Sequence, residues 1–268
     1  MCREEVLCKL QQNRKTINDS DDFRVNEAEV IALMSEFEKL LYPKYYPDPR
    51  TDEALFDDVT AALEKILSGV LEAERVGPAL EEFLTALPEI TLLLNEDAHA
   101  TYGGDPAAKT IAEVVMTYPG FKAVFGYRLA HKLYELNVPV IPRIIAEYYH
   151  GMTGIDINPG AKIGKGFCID HGTGIVIGET TEIGEYVRMY HGVTLGNNDF
   201  TKTDSGDLLK GGKRHPNIGN HVVIFANATI LGGDTTIGDY CVIGSNTWIK
   251  KSVKAGDVVT IYRDEEWR

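Results

Sequence analysis

Residues 157–249 repeat with a period that is neither helical nor alternating. Ile157, Ile163, Ile169, Ile177, Ile183, Met189 and Leu195 are apolar at steps of six, with one step of eight. After an interruption, Ile218, Ile224, Ile230, Ile237, Ile243 and Ile249 continue at steps of six, with one of seven. An amphipathic helix would repeat every ~3.6 residues and a half-buried strand every second residue. Glycine often follows the apolar position, as at Gly164, Gly178, Gly184, Gly196, Gly219, Gly238 and Gly244. A hexapeptide repeat of a parallel β-helix accounts for the pattern: each short strand turns one apolar residue inward, and turns at fixed offsets take the small residues.

The first ~150 residues follow a helical period. Val30, Leu33, Met34, Phe37, Leu40 and Leu41 form one apolar stripe, with Asn26 as N-cap and "YPKYYPDP" as terminator. Leu55, Val59, Leu63, Ile66, Leu67 and Val70 form a second, expected to stop at Gly77-Pro78. A third helix is expected to start at "GGDPAAKT", with Asp105 as cap and Pro106 in the first turn. Phe121, Val124, Phe125 and Leu129 mark another after Pro119-Gly120, and "PRIIAEYYH" a last one. The class is therefore α+β, with a helical domain over 1–153, a β-helix over 154–260 and a tail over 261–268.

The repeat resembles the left-handed β-helix of hexapeptide-repeat acyltransferases, in which three strands make one triangular coil. The left-handed sense rests on that resemblance, since it departs from the usual crossover rule. With three repeats per coil, Ile169 lies below Met189, roughly 4.8 Å apart. His171 and His191 then share one edge, and Asp156 falls at the corner one coil beneath His171. A carboxylate there would fix the imidazole tautomer and raise its basicity. The interruption at 197–217, "NNDFTKTDSGDLLKGGKRHPN", is too long for a corner and carries Arg214-His215-Pro216 at its end, with Lys210 and Lys213 nearby. Long loops on rigid scaffolds commonly carry function.

"DHGTGIVIGETTEIG", "GVTLG", the loop ending "RHP" and the upstream "GDPA" resemble serine O-acetyltransferase. The resemblance covers residues 90–250, and the first 90 in acidic helical character only. It implies an acetyl-CoA-dependent transfer to the L-serine hydroxyl, giving O-acetylserine for cysteine biosynthesis. In that scheme His171 is the general base and Asp156 hydrogen-bonds it. Asp105 and Asp170 hold the serine ammonium, and Arg214 pairs with its carboxylate, as a planar fork suits. His215 lies beside the reacting groups, and Gly196, Asn197 and Ala226 contact acetyl-CoA. Transfer is direct, in a ternary complex, with no acyl-enzyme cysteine, no tightly bound cofactor and no metal. A homotrimer or a dimer of trimers is implied, and inhibition by cysteine is a family trait. Family members that bind O-acetylserine sulfhydrylase do so through a terminal isoleucine; this chain ends Trp267-Arg268, so that complex is not expected.

Composition constrains the alternatives. A net charge of -13 argues against a nucleic-acid surface. No apolar run approaches a membrane span or a signal peptide. Cys2, Cys8, Cys168 and Cys241 lack CxxC spacing, which points to a reducing cytoplasm. Cys168 and Cys241 read as small buried apolar residues. His191 reads as structural, and His99, His131, His150 and His221 as surface or capping groups. A γ-type carbonic anhydrase would need a close histidine pair that His215 and His221 do not supply, and a bare scaffold would not need the polar edge. A sugar or antibiotic hydroxyl is the alternative acceptor, but a neutral sugar would not require acidic groups facing Arg214.

Overall fold

The computed structural model describes residues 2–18, 23–198, 206–208 and 211–261. Among the described residues seven helices precede the first strand: α1 (Arg3–Asn18), α2 (Glu27–Leu41), α3 (Asp52–Ser68), α4 (Ala73–Gly104), α5 (Ile111–Thr117), α6 (Pro119–Glu135) and α7 (Ile141–Thr153). The predicted stripe of α2 is buried at Val30, Leu33, Met34 and Phe37, and Asn26 Oδ1 accepts the Ala28 N–H at 3.0 Å. Helix α3 ends at Gly69, eight residues before the predicted stop. The Arg24 carbonyl crosses there so closely that a Cβ would overlap it. Gly77 and Pro78 instead lie within α4, which continues through Pro88 to Gly104. No helix starts at Asp105 either: that residue closes α4, its backbone N–H bonding to Thr101. The next helix begins after Thr110, whose Oγ1 accepts the Glu113 N–H at 3.1 Å. No described helix is long and apolar enough to cross a membrane.

From Asp156 the chain winds into three parallel sheets. Ile157, Ile177, Leu195, Ile230 and Ile249 stack in the first. Ile163, Ile183, Ile218 and Ile237 stack in the second. Ile169, Met189, Ile224, Ile243 and Val259 stack in the third. Most of these side chains are sealed from solvent, each contributing on the order of 1.5–3 kcal/mol. The inserted loop leaves after Gly196 and returns at Asn217, yet Ile218 pairs with Ile183 in the register an uninterrupted coil would have. Lys210 and the terminal Trp267-Arg268 lie outside the described residues. Between the second and third sheets the rings of Tyr186, His221 and Tyr240 stack at 5.3 and 4.9 Å.

In this β-helix N–H groups bond in both directions between coils: Lys162 donates to Thr181 and Gly164 to Ile183 above, while Gly174 donates to Gly154 and Tyr186 to Lys165 below. Some first-coil carbonyls, those of Pro159, Ala161, Ile163 and Gly164, meet donors from outside the β-helix. Helix α6 supplies them. Tyr127 Oη donates to the Ala161 carbonyl at 2.6 Å, and His131 Nδ1 lies 2.7 Å from the Pro159 carbonyl. Arg128 donates to the carbonyls of Ile163 and Gly164, each at 2.6 Å. Its guanidinium also makes two 3.0 Å bonds to Asp97 of α4, whose Oδ1 accepts the Phe167 N–H at 2.8 Å. Both side chains are buried.

Replacing Arg128 by Met would leave the Asp97 carboxylate buried without its partner and two carbonyls without donors. A loss of about 3–5 kcal/mol is expected. Urea denaturation of the purified variant checks it, and a loss below about 1 kcal/mol would contradict the capping role.

Candidate active site

Two separate edges of the prism carry the polar residues. The first lies where the third sheet turns into the first. Strand Cys168–Asp170 delivers Asp170 to this corner, and His171 follows with φ 59, a left-handed conformation uncommon for a side chain of this size. Gly172 and Gly174 share that conformation, and the Gly172 N–H bonds to the Asp170 carbonyl at 2.7 Å. The turn pushes the imidazole outward: the His171 side chain is 72% exposed, with Nε2 3.7 Å from Asp170 Oδ1. His191 stands one coil above, its ring 5.9 Å from that of His171, as the repeat arithmetic requires.

Asp105 reaches this edge from the end of α4. Its Oδ2 accepts from Tyr118 Oη at 2.6 Å and its Oδ1 from the Ala107 N–H at 2.8 Å. The Tyr118 hydroxyl, then the Ala107 amide, hold its carboxyl below the usual range, and the charges of His171 and Arg188 act in the same sense. The Tyr118 phenol is pushed up to about 12, first by its bond to Asp105, with the Asp170 charge adding to the effect. Two carboxylates, an exposed imidazole and a phenol therefore share one corner.

Asp156 is placed differently from the sequence expectation. It pairs with Val176 at the start of the first sheet, past the corner that holds His171. Its carboxylate lies within 4.8 Å of side-chain ligand atoms of Glu147 and His150 on α7. Among the described residues no hydrogen bond joins it to His171. Helix α7 packs against the first strand and brings Glu147 and His150 close to Asp156.

The second edge lies between the first and second sheets, where the inserted loop returns. Thr180 organises it: its Oγ1 accepts the N–H groups of Arg214 and His215 at 3.0 and 3.1 Å. Its own N–H donates to His215 Nδ1 at 3.1 Å, which puts the proton of the neutral ring on Nε2. His215 is buried, and burial, followed by the Arg214 charge, lowers its pKa to about 4. It is therefore a neutral hydrogen-bond donor near neutral pH. Arg214 pairs with Glu179, whose carboxyl is held below its ordinary range by that guanidinium and by Tyr134. A recess of about 400 Å³ opens here, lined by Tyr134, Glu179, Thr180, Gly212, Lys213 and Arg214.

The acetyl-CoA residues divide in the same way. Gly196 and Asn197 lead into the loop at the second edge. Ala226 lies in the corner stack of the first, its carbonyl accepting the Asn246 N–H at 3.0 Å. Glu179, Thr180 and Tyr118 were not picked out by sequence reasoning. "GETTEIG" signalled the first two, but only three-dimensional winding puts them against a loop some 35 residues later. Cys168 is buried, and that burial raises its thiol pKa, which suits a structural role and not a nucleophilic one.

No protein-family model matches the chain. A Synechococcus elongatus plasmid serine acetyltransferase is 48% identical over 204 residues, which are 74% of this chain and 64% of that protein. The chain thus spans somewhat less than two thirds of that relative. A Helicobacter pylori serine acetyltransferase is 47% identical over 152 residues, 57% of this chain and 83% of that protein. Among solved structures, Entamoeba histolytica serine acetyltransferase 1 in complex with L-cysteine superposes with a TM-score of 0.80 at 34% identity, over 89% of this chain and 87% of that one.

His215 has a folded pKa near 4, below its ordinary value near 6.5. Its neutral form therefore adds stability that is fully present above about pH 6.5 and is lost as pH falls towards 4. Thermal melts at pH 7.5 and 5 should show the unmodified chain losing more stability than His215→Gln, by on the order of 1–2 kcal/mol given the adjoining solvent. Equal losses would contradict a neutral His215.

Proposed function

Because this chain belongs to the serine acetyltransferase family, we propose that it transfers the acetyl group of acetyl-CoA to the hydroxyl of L-serine. The division of charge between the two edges carries the reading. Asp105 and Asp170 offer two carboxylates to an ammonium, and Arg214 offers a fork to a carboxylate. An amino-acid zwitterion needs both signs, whereas a neutral sugar needs neither.

His171 takes the serine hydroxyl proton as the oxygen attacks the thioester carbonyl. The Asp156 carboxylate, on the first strand one coil below, steadies the imidazolium so formed. The resulting oxyanion is held by backbone amides near Gly196 and Asn197 and by the Nε2–H of His215. Collapse of this intermediate breaks the carbon–sulfur bond, and the imidazolium returns its proton to the departing CoA thiolate. O-acetylserine and CoA leave. A thioester is already activated, so positioning and one base suffice, the base contributing ~10²–10⁴-fold.

In one chain, His171 and Arg214 lie on opposite sides of the first sheet, on the order of 15 Å of extended backbone apart. A single serine is too small to touch both. One edge of each chain facing the other edge of its neighbour completes the site, and three such contacts close a ring. A homotrimer, alone or paired through the helical parts, follows. Cysteine differs from serine by one atom and fits the same charges, so it acts as a competitive inhibitor, in line with the L-cysteine complex of the Entamoeba relative. A reducing cytoplasm, where CoA and free thiols coexist, is the setting.

Release of CoA thiol from acetyl-CoA should depend on L-serine and not on homoserine, sugars or buffer. His171→Ala should lower turnover by ~10²-fold or more, and Arg214→Ala should chiefly raise the serine KM. Near-normal turnover in the first, or thiol release with a sugar alone, would overturn the reading. Co-refolding the two variants should raise activity at low serine above that of either alone, because a mixed trimer contains sites built from two intact edges. Mixtures no more active at low serine than the separate variants would contradict sites shared between chains.

A further inference from the structure

The last carbonyls of a helix have no helical N–H to accept. In α4 one of these belongs to Gly104, immediately before Asp105. Arg188 Nη1 donates to it. Arg188 begins the strand Arg188–Tyr190 of the third sheet and stacks directly above Cys168, two residues from Asp170 and three from His171 in register terms. Its guanidinium sits against Gly104, where a Cβ would overlap Nη2 and Cζ. The backbone there is not in the left-handed region, so it is the missing side chain of glycine that matters. A cation in this place also complements the negative end of the helix dipole.

The acceptor corner combines groups from two parts of the fold. Asp170 and His171 belong to the β-helix, while Asp105 hangs from the end of a 32-residue helix. Small drift between them would spoil a two-carboxylate ammonium site, since binding geometry must hold to about 0.5 Å. The Asp97–Arg128 pair fixes α4 to the first coil, two helical turns before this point. Arg188 ties the helix to the second coil at the level of the site itself.

We propose that Arg188 is a positioning residue for the acceptor: by holding the Gly104 carbonyl it sets Asp105 opposite Asp170 and His171. This rests on the reading of Asp105 as a partner of the serine ammonium. Its charge also helps keep Asp105 ionised.

The test measures steady-state kinetics of Arg188→Met, Arg188→Lys, Gly104→Ala, the Gly104→Ala/Arg188→Met double variant and Asp105→Asn. Arg188→Met should raise the serine KM about tenfold, with the acetyl-CoA KM and kcat at saturating serine within about twofold. Gly104→Ala should displace the guanidinium and give the same shift. The double variant should be no worse than either single one, as expected for groups acting as a unit. Arg188→Lys should recover part of the loss. A lowered melting temperature with an unchanged serine KM would mean a purely structural role and overturn the inference, as would additive effects in the double variant. If Gly104→Ala does not fold, the Met and Lys variants decide alone. An unchanged serine KM in Asp105→Asn overturns the ammonium reading and this inference with it. A raised KM in Asp105→Asn but not in Arg188→Met overturns the Arg188 inference alone.

Discussion

The buried pair of Asp97 and Arg128 is the joint on which the molecule depends. The outermost coil of a parallel β-helix has no coil beneath it, so some of its backbone groups cannot be satisfied from within. Any solenoid meets this difficulty at its terminus. Here a single arginine answers two carbonyls and a carboxylate, and the carboxylate in turn fixes an amide on the same coil. Burying a charge is costly, and the pair is tolerable because the guanidinium makes four hydrogen bonds and both carboxylate oxygens accept. It also sets the direction in which α4 runs, and with it the place where Asp105 emerges.

The β-helix was legible because its signal is periodic and redundant. Each apolar residue predicted to stack does so, including those beyond the inserted loop, since a slip by one residue would turn Ile218, Ile224 and Ile230 outward together. The helical part was harder. Gly77-Pro78 looked like a terminator, but proline near the start of a long, well-packed helix is tolerated, and the true end at Gly69 was set by a crossing backbone. Asp105 looked like an N-cap because Asp-Pro-Ala suits one. It makes the corresponding local bond to Ala107, but in a turn that never becomes helix. Asp97 and Arg128 were invisible for a simpler reason: on a helical pattern a charge reads as the wet face, and only tertiary structure reveals one that points inward.

The candidate site divides along the same line. His171, Asp170, Arg214 and His215 came from motifs, and the winding that groups His171 with His191 came from arithmetic. What sequence could not provide was the supporting layer of Thr180, Glu179, Tyr118 and Arg188, which touch their partners only after coils and helices have met. The electrostatics are local as well. A chain of net charge -13 keeps Lys213 and Arg214 together at one corner, and their proximity helps keep His215 uncharged. The same corner therefore offers a cation and a neutral donor within two adjacent residues.

The excursion between Gly196 and Asn217 leaves the pairing above and below it undisturbed. Closing a longer loop costs only about 0.6 kcal/mol for each doubling of its length. Descendants of this sequence are accordingly free to lengthen, shorten or rewrite that segment while the spiral beneath stays intact. Diversification of the chemistry at one corner and preservation of the architecture become independent evolutionary problems.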